Sequence, residues 1–109
     1  MASRTVSADV LDDIVRRIVT VADPDKIILF GSAARGEMRP SSDLDLLVVK
    51  SGVHRRRLAQ RIYRDLIGAG QAVDIVVASP DDLHRYGDSV GLIYRSALQE
   101  GEVIYEREP

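Results

Sequence analysis

The amino-acid sequence predicts an α/β domain built on a mixed sheet of about four strands flanked by helices. Three observations carry this expectation. Apolar residues recur at helical spacing in several segments, short runs rich in branched aliphatic residues lie between them, and Gly or Pro marks most junctions. The 109 residues, 45% hydrophobic and 29% charged, suit one domain over residues 1–109 that buries roughly 60–70% of its unfolded surface. With 15 basic and 17 acidic residues the formal charge is −2, which gives no bulk attraction to nucleic acid or an anionic membrane. Direct nucleic-acid binding is not expected. Cysteine is absent, which excludes disulfides, thiolate nucleophiles and Cys-based zinc sites. No apolar run nears the 18 or so residues of a membrane span, and the first residues lack a signal-peptide apolar region, so a cytoplasmic protein is expected.

Ser7 is placed to cap a first helix running to about Ala22, whose stripe is Val10, Leu11, Ile14, Val15, Ile18 and Val21. Asp23-Pro24-Asp25 ends it, because proline disfavours helical geometry in the residue before it. Ile27-Ile28-Leu29-Phe30 then reads as a strand covered on both faces, closed by Gly31. Residues 32–42 are polar, with Gly36 and Pro40, and read as a loop with room for one helical turn. Asp43 to Val49 is a second strand. From His54 to Ala69 a helix is predicted, with Leu58, Ile62, Leu66 and Ile67 inward and Gly68 and Gly70 as stop signals. Ala72 to Val77 is a third strand. Ser79-Pro80-Asp81-Asp82 reads as N-cap, first-turn proline and two carboxylates at the positive end of a short helix that stops near Gly87. Another helix covers about Ser89 to Glu100, with Val90, Ile93, Tyr94, Ala97 and Leu98 apolar. Val103-Ile104-Tyr105 is a last strand at an edge.

Alternate strand residues share a face, so Asp43 and Asp45 point the same way, ahead of apolar Leu47 and Val49. The first two strands are joined too briefly for a full crossover helix, which suits antiparallel pairing with Gly31-Ser32 beside the start of the second. The helix between the second and third strands suits a right-handed crossover and parallel strands. Asp74, near the start of the third strand, would then lie next to Asp43 and Asp45. Such a cluster needs a cation or a proton to relieve repulsion. Oxygen-only ligands favour Mg²⁺, bound through one or two carboxylates and substrate phosphates. Two ions about 4 Å apart could serve both oxygens of a displacement at phosphorus. Gly31 permits close backbone approach, Ser32 and nearby N–H groups suit phosphate oxygens, and Arg35 can neutralise a polyphosphate. The chemistry implied is phosphoryl or nucleotidyl transfer.

Gly31-Ser32-Ala33-Ala34-Arg35-Gly36, ten residues between Ser32 and Asp43-Leu44-Asp45, resembles the GS-x10-DxD signature of the DNA polymerase β-like nucleotidyltransferase superfamily. Asp74 falls where that family places its third carboxylate. The short length and the ending from Ala97 to Tyr105 resemble its minimal nucleotidyltransferase branch, the MNT or MntA-type antitoxins paired with HEPN-domain toxins. The resemblance implies that Asp43, Asp45 and Asp74 bind Mg²⁺, with Asp74 also helping to activate an acceptor hydroxyl. It implies that Gly31 and Ser32 hold the β- and γ-phosphates of ATP, helped by Arg35. It further implies transfer of AMP to a tyrosine of a HEPN-type RNase toxin, which silences it.

Other readings stand beside this one. An isolated Asp-x-Asp is usually a polar strand start, and Gly-Ser alone is usually a turn. A catalytically silent antitoxin could act by contact, and a nucleotidyltransferase could act on a small hydroxyl compound. Arg55, Arg56, Arg57, Arg61 and Arg64 read as a solvated helix face, or else as a partner or nucleic-acid surface, with Tyr63 as their aromatic neighbour. Arg39 reads as a solvated loop charge, His54 and His84 as too isolated for ligands, and Tyr94 and Tyr105 as core.

Overall fold

The computed structural model describes residues 7–37, 43–86 and 93–108. Its elements are α1 (Ala8–Ala22), β1 (Lys26–Phe30), β2 (Leu44–Val49), α2 (Arg55–Asp65), β3 (Val73–Ala78), α3 (Pro80–Tyr86), α4 (Ile93–Glu100) and β4 (Glu102–Glu106). Arg39, Pro40, Val90 and the expected helix start at Ser89 lie outside the described residues. The strands form one sheet in the order β3-β2-β1-β4. As expected, β1 pairs antiparallel with β2, β2 pairs parallel with β3, and β4 lies at an edge, where the structure pairs it antiparallel with β1.

The two faces of the sheet bury different residues because strand side chains alternate. Ile27, Leu29, Leu44, Leu46, Val48, Ile75 and Val77 pack with the stripes of α1 and α2, chiefly Leu11, Ile14, Ile18, Leu58 and Ile62. Ile28, Phe30, Leu47, Val49 and Ala78 pack with Ala97 of α4, against which Leu83 and Tyr94 lie. Full burial of each such Leu or Ile contributes about 1.5–3 kcal/mol. Truncating Leu47, which is wholly buried, to alanine would remove about 2–5 kcal/mol. Tyr94 and Tyr105 pack partly buried against the two cores, as read.

The caps follow the sequence closely. The Ser7 hydroxyl accepts from the Val10 N–H, and Asp23 closes α1 in the left-handed region at φ 45°, its N–H donating to the Val19 carbonyl. At α3 the Asp82 N–H donates to the Ser79 hydroxyl at 3.0 Å and the Ser79 N–H donates to the Asp82 carboxylate at 3.0 Å. This reciprocal capping box holds the Asp82 carboxyl below its ordinary range, first through the Ser79 backbone bond and then the Ser79 hydroxyl, with Arg55 and Arg85 adding to it.

Two apolar residues depart from the reading. Helix α2 ends at Asp65, and Ile67, expected inward, is 76% exposed. The Arg17 guanidinium of α1 donates to the carbonyls of Asp65 and Ile67 at 3.0 and 3.1 Å. These last carbonyls therefore find a partner outside the helix, and the chain turns away through Gly68 and Gly70 at positive φ. Leu98, expected on the inner side of α4, is 44% exposed. It lines a cavity of about 580 Å³ with Val49, Leu83 and Lys26, at the end of the sheet away from Asp45 and Asp74.

Candidate active site

One row of the sheet carries the acidic residues. Phe30 of β1 stands opposite Asp45 of β2, and Asp45 stands in register with Asp74 of β3. By alternation Asp45 shares the face of Leu47 and Val49, and Asp74 that of Val76 and Ala78, the side on which α4 packs. Asp43 is exposed just before β2. Asp45 is half-buried and Asp74 exposed. The Asp45 carboxyl is pushed above its usual range, first by burial, then by the charges of Asp74 and Asp43, against a smaller opposing pull from Arg35. The structure thus brings the three aspartates into one electrostatic neighbourhood, as their spacing predicts.

The turn after β1 closes over this neighbourhood. Gly31 has φ 73°, and a side chain there would collide with Asp45 Oδ2 and lie 3.1 Å from its Cγ. The close approach that requires glycine is therefore made to the Asp45 carboxylate. Residues 31–36 form the single helical turn for which the loop had room. The Arg35 N–H donates to the Gly31 carbonyl, the Gly36 N–H to Ala33 and the Glu37 N–H to Ser32, with Gly36 left-handed at φ 72°. This closing pattern is a Schellman motif. Ala33, 2% exposed, anchors the turn in the core, and the first N–H groups of a helical turn are those without partners within it. Ser32 sits at that start and is half-buried.

Arg35 stands on the same turn, but its guanidinium is already engaged. Nε donates to Glu37 at 2.9 Å and Nη1 to Glu100 of α4 at 3.4 Å. Both pairs are exposed, so solvent screens them and they would yield readily to a phosphate. The sequence reading missed Tyr63 of α2 as part of this region. Its hydroxyl donates to Asp74 Oδ1 at 3.1 Å and accepts from the Ile75 N–H at 2.8 Å. The available signal was an aromatic residue one position off the Leu58–Ile62–Leu66 stripe.

The donor set suits a hard cation: every candidate ligand is an oxygen, and the charges of Asp74 and Asp43 crowd Asp45 with only a smaller opposing pull from Arg35. Among the described residues no three such side chains are already gathered closely enough to enclose an ion. Magnesium held by one or two carboxylates and by substrate phosphates does not require such a cage.

A sheet flanked by helices, with a Gly-Ser turn set against acidic residues on two adjacent strands, defines a nucleotidyltransferase-type architecture. The chain belongs to the polymerase beta nucleotidyltransferase family, which matches residues 12–109. It is 32% identical over 88 residues to a candidate protein adenylyltransferase of Methanocaldococcus jannaschii, MJ1305, covering 75% of this chain and 58% of the relative. A second candidate protein adenylyltransferase of that organism, MJ0604, is 32% identical over 80 residues, covering 73% of this chain and 77% of the relative. The chain thus spans a little over half of the first relative's length. A crystal structure of a candidate nucleotidyltransferase from Sulfolobus solfataricus is similar with TM-score 0.61 at 20% identity, covering 91% of this chain and 79% of that one. A toxin–antitoxin crystallised with AMP-PNP is similar with TM-score 0.58 at 19% identity, over 94% of this chain and 76% of that one. A mutant of the toxin–antitoxin MntA-HpeT gives TM-score 0.53 at 15% identity, over 94% and 76%. At these identities the structural likeness speaks to the fold.

Proposed function

We propose that this chain is a protein adenylyltransferase of the minimal antitoxin type, transferring AMP from ATP to a tyrosine hydroxyl of a HEPN-type toxin. The observation that carries the reading is the row Phe30–Asp45–Asp74, which sets two carboxylates on adjacent strands against the Gly31-Ser32 turn. The adenylyltransferase names of the M. jannaschii relatives and the toxin–antitoxin neighbours support the substrate and the partner.

In this reading Gly31, Ser32 and the open N–H groups of the turn hold the β- and γ-phosphates, and Arg35 leaves Glu37 and Glu100 to join them. Asp43, Asp45 and Asp74 would hold Mg²⁺, which when bound offsets the charge of the triphosphate and of the departing pyrophosphate. Asp74 accepts the proton of the acceptor hydroxyl. The hydroxyl oxygen bonds to the α-phosphorus as the bond to the bridging oxygen breaks, and pyrophosphate leaves.

The test is incubation with ATP labelled at the α- or the γ-phosphate, Mg²⁺ and the product of an adjacent gene bearing an R-x4-H motif. Wild type is run beside Asp45→Ala. A protein band labelled only from the α-phosphate, and lost in the variant, is expected. Full neutralisation of the partner by Asp45→Asn without label would favour action by contact, and label on an added aminoglycoside would favour a small-molecule acceptor.

A further inference from the structure

We infer that Tyr63 is a positioning residue for Asp74, fixing the orientation of that carboxylate from outside the sheet. The inference rests on the reading of Asp74 as a site residue. Helix α2 packs on the face of the sheet opposite to the one Asp74 shares with Val76 and Ala78. Because β3 is an edge strand, Tyr63 can reach round it.

The hydrogen-bond arithmetic at the hydroxyl sets the direction of the contact. A tyrosine hydroxyl has one proton to give and lone pairs to accept with. The Ile75 N–H, on the strand itself, donates to Tyr63 Oη at 2.8 Å and fixes the oxygen in place. Two acceptors then compete for the proton, Asp74 Oδ1 at 3.1 Å and the Ile75 carbonyl at 3.5 Å. The carboxylate is nearer and charged, so it takes the stronger bond. One Asp74 oxygen is thereby tied to a group anchored by backbone, and only the other remains without this tether. Groups that orient metal-binding side chains in this way are commonly worth about 10–100-fold in metal affinity or activity.

The test is Tyr63→Phe in the full chain, which keeps the ring and removes the hydroxyl, with Tyr86→Phe on α3 as control. Three quantities are read: Mn²⁺ affinity of the nucleotide-free protein by electron paramagnetic resonance, kcat and KM for ATP, and the melting temperature. Expected for Tyr63→Phe are Mn²⁺ binding weaker by about tenfold or more, kcat lower by about tenfold, and KM within twofold. Tyr86→Phe should match wild type throughout. If Mn²⁺ affinity and kcat of Tyr63→Phe stay within twofold of wild type, the inference fails whatever the melting temperature does, since the bond would then be only structural. Wild type that incorporates AMP at Tyr63 itself would also overturn it, the residue being then a substrate. A wild-type chain that neither binds Mn²⁺ nor labels a protein would sink the nucleotidyl reading, and this inference with it.

Discussion

Replacing Gly31 with alanine should damage stability and the candidate site together, for two separable reasons. Gly31 holds φ 73°, where an L side chain costs about 1–2 kcal/mol. The new methyl would also overlap Asp45 Oδ2 and stand 3.1 and 3.3 Å from Cγ and Cβ of the same residue, so the carboxylate must move by about 1 Å. Overpacking of this kind adds about 1–3 kcal/mol. Thermal melts should therefore show a loss of about 4–8 °C for each kcal/mol. A displacement of about 1 Å at a reacting group costs on the order of 100-fold in rate, or about 2.7 kcal/mol at 1.36 kcal/mol per tenfold. The decisive assay is a double-mutant cycle in stability. In an Asp45→Ala background Oδ2 and Cγ are gone and only the Cβ contact at 3.3 Å remains, so Gly31→Ala should cost little beyond the backbone part, about 1–2 kcal/mol. An equal cost in both backgrounds would refute the claim that the turn is fitted to the carboxylate.

Four further outcomes are expected. Asp45→Asn should raise the melting temperature of the metal-free chain, because it removes a charge disfavoured by burial and by Asp74 and Asp43, while abolishing AMP transfer; a lower melting temperature would contradict the crowding argument. Mg²⁺ should raise the melting temperature of wild type and leave Asp45→Ala unmoved, as binding to the folded state alone stabilises it. The folded-state pKa of Asp82 is depressed, so its contribution is full above the ordinary Asp value of about 3.9 and is lost as pH falls through the folded value; Asp82→Asn should flatten that acid limb in pH-dependent melts. Gly101→Ala should destabilise by about 1–3 kcal/mol, since its methyl would meet the Ala97 carbonyl and come within 2.6 Å of Ile28 Cγ2, and mass-normalised activity of the folded fraction should remain near wild type.

Much of the fold was legible because local signals and the global arrangement agree. The Ser7 and Ser79 caps, the strand-length apolar runs and the crossover between β2 and β3 all lead to the observed topology. The alignment of Asp45 with Asp74 followed from two facts visible in the chain, their early places in two strands and the helix-length connection between those strands. Ile67 was misread because helical periodicity continues past the point where α2 stops, and the Arg17 guanidinium that donates to the Asp65 carbonyl lies 48 residues away from it. Tyr63 was missed for a related reason. Its contact with Asp74 depends on β3 being an edge, a property of strand order that an aromatic residue off the helix stripe does not by itself reveal.

The acidic row also acts as a ruler. Neighbouring strands stand about 4.8 Å apart, and that spacing is set by ladder hydrogen bonds, whatever lies in the connections. Residues added to the loop after Gly36 or to the α2 crossover would lengthen the path between Gly31, Asp45 and Asp74 without altering their separation across the sheet. A single residue inserted within β2 ahead of Asp45 is another matter. It would carry the carboxylate through the sheet to the α1–α2 face, into the layer formed by Leu44, Leu46 and Ile75. The spacing of this row therefore tolerates longer connections after Gly36 and across α2, and almost no change in the parity of its strands.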